Sequence, residues 1–120
     1  MSNPNKRRGT EWETAGTRFL RAEVPDGDDI RRVAQTGRLD IGDVHAAPFA
    51  LEFKNTAKLE LAAYVDQAEA EAHNAGLPFG AAVVKRRGKG PGAGYVVLSL
   101  ATFARLLAYL RANTPADRGR

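Results

Sequence analysis

The segment FALEFKN, residues 49–55, decides how the chain is expected to fold. Successive side chains of an extended strand point to opposite faces, so Phe49, Leu51 and Phe53 share one face. The opposite face carries Glu52 and Lys54. The apolar face suits packing against a core. The charged pair on the second face of the same strand needs a separate explanation.

The preceding segment GDVHA, residues 42–46, forms a predicted β-hairpin with this strand across Ala47-Pro48. Pairing about the midpoint of that turn places Asp43 opposite Glu52, with Cβ atoms ~5 Å apart. Two carboxylates at that distance repel unless a cation lies between them. Mg²⁺ takes oxygen ligands and keeps water molecules, one of which can attack a phosphate. Lys54 would lie beside that water, where it could position or deprotonate it or stabilise charge on the phosphate. A solvated Glu–Lys pair on an open sheet face is the alternative.

The remaining patterns predict helices and strands around this hairpin. Residues 11–22 form a helix capped by Thr10, with Trp12, Ala15, Phe19 and Leu20 facing inward. A helix over 58–75 ends at Gly76, with Leu59, Ala62, Ala63, Val65 and Ala68 inward and Glu60, Glu69 and Glu71 outward.

The predicted strands beside the hairpin are 30–34, 79–85 and 95–100. Ser99 caps a last predicted helix that carries Phe103, Leu106, Leu107 and Leu110. The order α-β-β-β-α-β-β-α indicates an α/β (α+β) domain with a mixed sheet. Residues 1–8 are predicted to be a flexible basic arm, 9–113 a single domain and 114–120 a flexible tail.

Composition narrows the possible classes of protein. The 120 residues include no cysteine, which excludes disulfides and cysteine-based zinc sites. No apolar run approaches the ~18 residues of a membrane span, and the N-terminus lacks the apolar core of a secretory signal. The chain is therefore expected in the cytoplasm, of a bacterial cell or of a phage-infected host, with no membrane partner.

A formal net charge of +4 favours a polyanionic partner such as DNA. The basic residues form clusters that are either phosphate-binding surfaces or ordinary solvated faces. These residues are Lys6, Arg7, Arg8, Arg31, Arg32, Lys85, Arg86, Arg87 and Lys89. The last four lie in or beside the glycine-rich loop RRGKGPGAG, which would suit a flexible contact with a DNA backbone.

Four segments in this order resemble the PD-(D/E)XK nuclease superfamily: RGTEWE, IGDV, FALEFKN and AYVDQAEAEA. More narrowly, they resemble Holliday junction resolvases of the archaeal type and their relatives in actinobacteria and actinobacterial phages. The resemblance covers residues 9 to about 107. It implies a restriction-endonuclease-like core, Mg²⁺ with Mn²⁺ able to substitute, branched DNA as substrate, and a homodimer.

The resemblance also assigns roles to individual residues. Asp43 matches the family's strand aspartate, and Glu52 and Lys54 match its E-x-K. The glutamate of its first helix falls on Glu13, so Glu13, Asp43 and Glu52 are the implied metal ligands. Gln67 matches a polar residue that follows on the next helix.

Two assignments stay open at this point. Glu11 is the alternative to Glu13, and Asp40 competes with Asp43. The proline that the family carries before the strand aspartate is replaced by Gly42.

The expected function is metal-dependent cleavage of branched DNA, resolving four-way (Holliday) junctions by phosphodiester hydrolysis. The alternatives are a nuclease of the same fold acting on flaps, ends or specific duplex DNA, a non-catalytic DNA-binding module, and a protein that binds metal for structure.

Overall fold

The computed structural model describes residues 3–35 and 37–115, which form three α-helices and a five-stranded mixed sheet. The elements are α1 Pro4–Glu23, β1 Arg31–Arg32, β2 Val44–Ala46, β3 Phe49–Lys54, α2 Leu61–Ala75, β4 Phe79–Val84, β5 Tyr95–Val97 and α3 Leu100–Ala112. Short 3₁₀ turns lie at Gly27–Asp29 and Pro91–Ala93. The predicted α/β domain with a mixed sheet and the predicted order of elements are confirmed.

The strands lie in the order β1-β2-β3-β4-β5. Neighbouring strands are antiparallel except β3 and β4, which are parallel and joined through α2, as a crossover requires. In the β2–β3 hairpin, Val44 lies opposite Leu51 and Ala46 opposite Phe49, which confirms the predicted register. The paired residues end at Val44 and Leu51; Asp43 lies just before β2, and its amide donates to the Leu51 carbonyl at 2.9 Å.

Core side chains cover both faces of the sheet. The cluster on the α1 face comprises Trp12, Ile30, Val44, Leu51, Phe53, Ala81 and Val83. The cluster on the α2 face comprises Tyr64, Ala82 and Val84. The Trp12 indole N–H donates to the Val83 carbonyl at 3.0 Å and anchors α1 to the sheet. The apolar face predicted for FALEFKN thus packs under α1, and its charged face lies under α2.

Two glycines allow the helices to lie close to the sheet. A Cβ on Gly16 of α1 would collide with the Phe53 ring. A Cβ on Gly80 of β4 would collide with the Ala68 carbonyl of α2. The close approach of α2 brings the polar side chains on its inner face within reach of β3.

Helix α1 begins earlier than the sequence predicted. Its N-cap is Asn3, whose side chain accepts from the Asn5 amide at 2.9 Å, and Thr10 lies inside the helix. Residues 4–8 of the predicted flexible arm are therefore helical. Residues 1–2 of that arm and 116–120 of the predicted tail lie outside the described residues.

The prediction for the inner face of α2 was partly wrong. The helix begins at Leu61, and Leu59, Ala62 and Ala63 are exposed. Its buried residues are Tyr64, Ala68, Glu71 and Ala72. Glu71, predicted to point outward, is only 2 % exposed. The end of the helix is as predicted, with Gly76 in the left-handed conformation at φ 71°.

Helix α3 begins as predicted at the Ser99 cap, whose hydroxyl accepts from the Thr102 amide at 3.1 Å. Much of its apolar surface faces solvent, with Phe103, Leu107 and Leu110 between 40 % and 50 % exposed. Among the described helices, none is both long and apolar enough to cross a membrane.

Candidate metal centre

The centre of the site is the face of β3 that lies under α2. Glu52 projects from this face and is 6 % exposed. Lys54, two residues along the same strand, places its Nζ 3.3 Å from Glu52 Oε2. The ammonium group also lies 5.2 Å from the centre of the Tyr64 ring, which holds it over the strand. The sequence-predicted Glu–Lys pair is therefore largely enclosed and is not a solvated surface pair.

Asp43 joins the pair through the hairpin. Its Oδ2 accepts from the Phe53 amide at 2.8 Å, so its carboxylate is held between the ends of β2 and β3. Burial raises the pKa of Asp43, although the Phe53 amide opposes the shift. Burial also raises the pKa of Glu52, and the nearby charge of Asp43 adds to the increase. The charges of the two carboxylates therefore interact.

Helix α2 supplies a polar cover over Glu52. The Gln67 Nε2 lies 3.1 Å from Glu52 Oε2 and 3.1 Å from Glu71 Oε2. A side-chain amide has two N–H donors, so Gln67 can satisfy both carboxylates at once. Gln67, chosen from the sequence, therefore lies at the site.

Glu71 and Asp40 complete the acidic cluster. One carboxylate oxygen from each of Asp40, Glu52 and Glu71 lies within 4.8 Å of the others. Burial, together with the close approach of the other two carboxyls, raises the pKa of Glu71 to about 10. A hydrogen bond from the Glu71 carboxyl lowers the pKa of Asp40. The cluster therefore holds a proton on Glu71 unless another positive charge takes its place.

The segment that carries Asp40 is fixed by its neighbours. Asp40 Oδ1 accepts from the Gly42 amide at 3.1 Å, and its backbone carbonyl accepts from Asn74 Nδ2 at 2.9 Å. A ring nitrogen of His45 lies 2.7 Å from the Ile41 carbonyl. Asp40 and Asp43 thus both reach the site, on its two sides, so the sequence-based choice between them is not exclusive.

Helix α1 contributes Glu13 from the other side of Asp43. Burial raises the pKa of Glu13, and the charge of Asp43 raises it further. Arg32 opposes this effect through an ion pair, with its terminal nitrogen 3.2 Å from Glu13 Oε1. Glu11, the alternative, is exposed and lines a depression with Arg8, Lys85 and Lys89.

The donor set suits a hard divalent cation. All candidate ligands are carboxylate oxygens, which Mg²⁺ and Mn²⁺ prefer. Outside the carboxyl cluster itself, no hydrogen-bond donor among the described residues reaches Glu52 Oε1 or Glu71 Oε1, although both atoms are buried. Buried oxygens without a donor are costly, and a cation would satisfy them. The chemistry of these oxygens fits the metal that the sequence implies, but the carboxylates brought within 4.8 Å of one another are Asp40, Glu52 and Glu71, which share only Glu52 with the implied ligands.

The basic residues predicted to contact DNA fall into different environments. Arg8, Lys85 and Lys89 surround Asn55, the residue that follows Lys54, so positive charge adjoins the site. Arg32 is engaged by Glu13, and Arg31 lies with Arg18 and Arg21 along a second groove. The remaining members, which are exposed, are Lys6, Arg7, Arg86 and Arg87.

The sequence interpretation missed Glu71. Its position four residues after Gln67 places both side chains on one face of α2, and the small residues Ala68 and Ala72 share that face. Once Gln67 is assigned to the site, this spacing predicts that Glu71 points there too. A general expectation that charged residues face water led to the wrong prediction.

Comparisons with known proteins return no relative. No family model matches the chain, and neither a curated protein nor a solved structure does. The functional argument therefore depends on the geometry of the site and on the motifs in the sequence.

Proposed function

We propose that the chain is a metal-dependent DNA endonuclease that cleaves branched DNA, most specifically four-way junctions. The observation that supports this most strongly is the enclosed trio on the hairpin. Asp43 lies close enough to Glu52 for its charge to raise the pKa of Glu52, and the Lys54 ammonium is 3.3 Å from Glu52. Clustered carboxylates repel phosphate, so they suit a DNA-binding surface only where a cation is bound.

Three carboxylates, which we call the strand site, would hold Mg²⁺: Glu13, Asp43 and Glu52. Bound Mg²⁺ would supply a polarised water and stabilise charge on the attacked phosphate. Arg32 positions Glu13, and the Phe53 amide positions Asp43. Lys54 would orient the attacking water and donate a hydrogen bond to a phosphate oxygen as negative charge develops. Gln67 holds the Glu52 carboxylate in place.

The basic depression supports DNA as the substrate. Arg8 from α1 and Lys85 and Lys89 from the loop after β4 lie beside Asn55. A phosphate backbone following these charges would pass the end of β3 where Lys54 lies. Such contacts bind without regard to sequence and position the scissile phosphate.

The preference for junctions and the homodimer come from the sequence resemblance. Symmetric cutting of a four-way junction needs two active sites, which a two-fold dimer would supply. The exposed apolar face of α3 is compatible with contact between copies, since Phe103 and Leu110 are about half exposed.

Cleavage of a panel of DNA substrates tests this proposal. Labelled four-way junction, flap, linear duplex and single-stranded DNA would be incubated with Mg²⁺, with Mn²⁺ or with chelator. We expect paired symmetric cuts in the junction that are lost in chelator and in Glu52→Gln. Glu23→Gln, at the exposed end of α1, is the matched control and should cut normally.

Other outcomes would revise the proposal in defined ways. Cutting of flaps or duplex alone would keep the nuclease and exclude junction resolution. Tight DNA binding without cutting of any substrate would contradict the nuclease and favour a non-catalytic DNA-binding module.

A further inference from the structure

We propose that Asp40, Glu52 and Glu71 form a second divalent-cation site, which we call the helix site, on the α2 side of Glu52. One carboxylate oxygen from each of the three lies within 4.8 Å of the others. The strand site uses Glu13 and Asp43 instead, so the two sites share Glu52 alone.

Two buried carboxylate oxygens, Glu52 Oε1 and Glu71 Oε1, also point to a bound ligand. Glu52 is 6 % exposed and Glu71 is 2 % exposed, yet Oε1 of each has no hydrogen-bond donor outside the carboxyl cluster among the described residues. Their other oxygens both receive the Gln67 amide. Gln67 therefore orients the two carboxylates as a pair and leaves one buried oxygen on each available to a ligand. Lys54 does not fill this role, since its Nζ contacts Glu52 Oε2.

The spacing fits a hard cation. Octahedral ligands at about 2.1 Å from Mg²⁺ stand roughly 3.0–4.2 Å apart, and ligands about 2.4 Å from Ca²⁺ stand roughly 3.4–4.8 Å apart. The three oxygens, which all lie within 4.8 Å of one another, can meet either range with small side-chain movements. An all-carboxylate set without imidazole or thiolate favours Mg²⁺, Mn²⁺ or Ca²⁺ over Zn²⁺.

The ligands are also held from behind, as metal ligands usually are. Gly42 donates to Asp40 Oδ1, and Asn74 donates to the Asp40 carbonyl. Asn74 and Glu71 lie one turn apart on α2, so the helix fixes both sides of the helix site. This proposal goes beyond the nuclease and does not depend on it, because a cation at this position can bind whether or not DNA is cut.

Titration of the full chain with Mn²⁺ alone tests the helix site. The protein would first be stripped with chelator, and free Mn²⁺ would be followed by electron paramagnetic resonance. Glu71→Gln and Asp40→Asn should each bind one ion fewer per chain, or bind it at least about tenfold more weakly, since even residues behind a ligand matter by 10–100-fold. Glu13→Gln should keep the helix site. Asp66→Asn, an exposed change on α2, should match the wild type.

Asp40→Asn provides a second test of the helix site in case Glu71→Gln does not fold. An asparagine oxygen can still accept from the Gly42 amide, so this variant should fold even if Glu71→Gln does not. Unchanged Mn²⁺ binding by Asp40→Asn, with a native circular dichroism spectrum, would overturn the helix site. Retained Mn²⁺ binding together with no DNA cutting would instead contradict the nuclease proposal and leave the helix site intact.

Discussion

At the scale of single residues, Glu52 is the carboxylate that the strand site and the helix site share. It contacts Lys54 and Gln67, and it lies beside Asp43 and Glu71. Burial raises the pKa values of Asp43, Glu52 and Glu71, and the Lys54 ammonium opposes this increase for Asp43 and Glu52. This arrangement costs stability at neutral pH, and a bound cation would offset that cost.

Stability should fall with rising pH when metal is absent. The pKa of Glu71 is raised from the ordinary 4.5 to about 10. A raised pKa contributes stability that is complete below the ordinary value and is lost as pH rises through the folded value. In chelator, the melting temperature should therefore decline between about pH 5 and pH 10. Glu71→Gln should flatten this decline, whereas Asp66→Asn should not. A wild-type melting temperature that is flat over this range would contradict the assignment.

Lys54→Met should slow cutting strongly without abolishing DNA binding. The methionine keeps much of the side-chain volume but removes the donor beside the attacked phosphate. Loss of one preorganised donor typically lowers kcat by about 10²–10³. Single-turnover cleavage measures this loss, and a gel-shift assay checks binding. Lys58→Met, a change at an exposed lysine outside the site, is the control. Normal cutting by Lys54→Met would exclude Lys54 from the chemistry.

At the scale of elements, the sequence correctly predicts the features that depend on residues close together in the chain. The hairpin register follows from symmetric pairing about Ala47-Pro48, and the start of α3 follows from Ser99. The start of α1 was missed because Asn3 and Thr10 are both good caps, and the sequence does not rank them. The Glu13–Arg32 ion pair and the burial of Glu71 depend on how α1 and α2 lie on the sheet, which no local pattern specifies.

Substitution of Gly80 should test how closely α2 lies on the sheet. In Gly80→Ala, the new methyl group would meet the Ala68 carbonyl, and backbone cannot move aside as a side chain can. We expect a loss of about 1–3 kcal/mol in the free energy of unfolding, measured with urea. Gly9→Ala in α1 is the control, because nothing lies within 4 Å of the added carbon. It should be stabilising by about 0.5–1 kcal/mol. A neutral Gly80→Ala would show that α2 lies further from β4.

At the scale of the whole molecule, the two sides of the sheet have different roles. The side under α1 is closed by aromatic and aliphatic packing around Trp12 and Phe53. The side under α2 carries the acidic site. Helix α3 lies at the β5 end of the chain and leaves apolar side chains exposed, which a monomer would have to keep in water.

In the proposed homodimer, we expect the exposed apolar face of α3 to form the interface. Leu107→Asp would place a charge on a leucine that is 40 % exposed, so a dimer formed through α3 should dissociate. Sedimentation velocity should show a dimer for the wild type and a monomer for Leu107→Asp. Leu39→Asp, at a leucine 60 % exposed outside α3, should remain dimeric. A wild type that is monomeric at all concentrations would contradict the homodimer.

The proposed nuclease requires that Glu52 binds the cation on which DNA cleavage depends. The most direct measurement is the single-turnover rate of four-way junction cleavage by the wild type and Glu52→Gln across a Mg²⁺ titration, with junction binding measured in parallel. We expect Mg²⁺-dependent cutting by the wild type, and no cutting at any Mg²⁺ concentration by a Glu52→Gln variant that still binds the junction. Equal cutting rates for the two proteins, or cutting by the wild type in chelator, would contradict it.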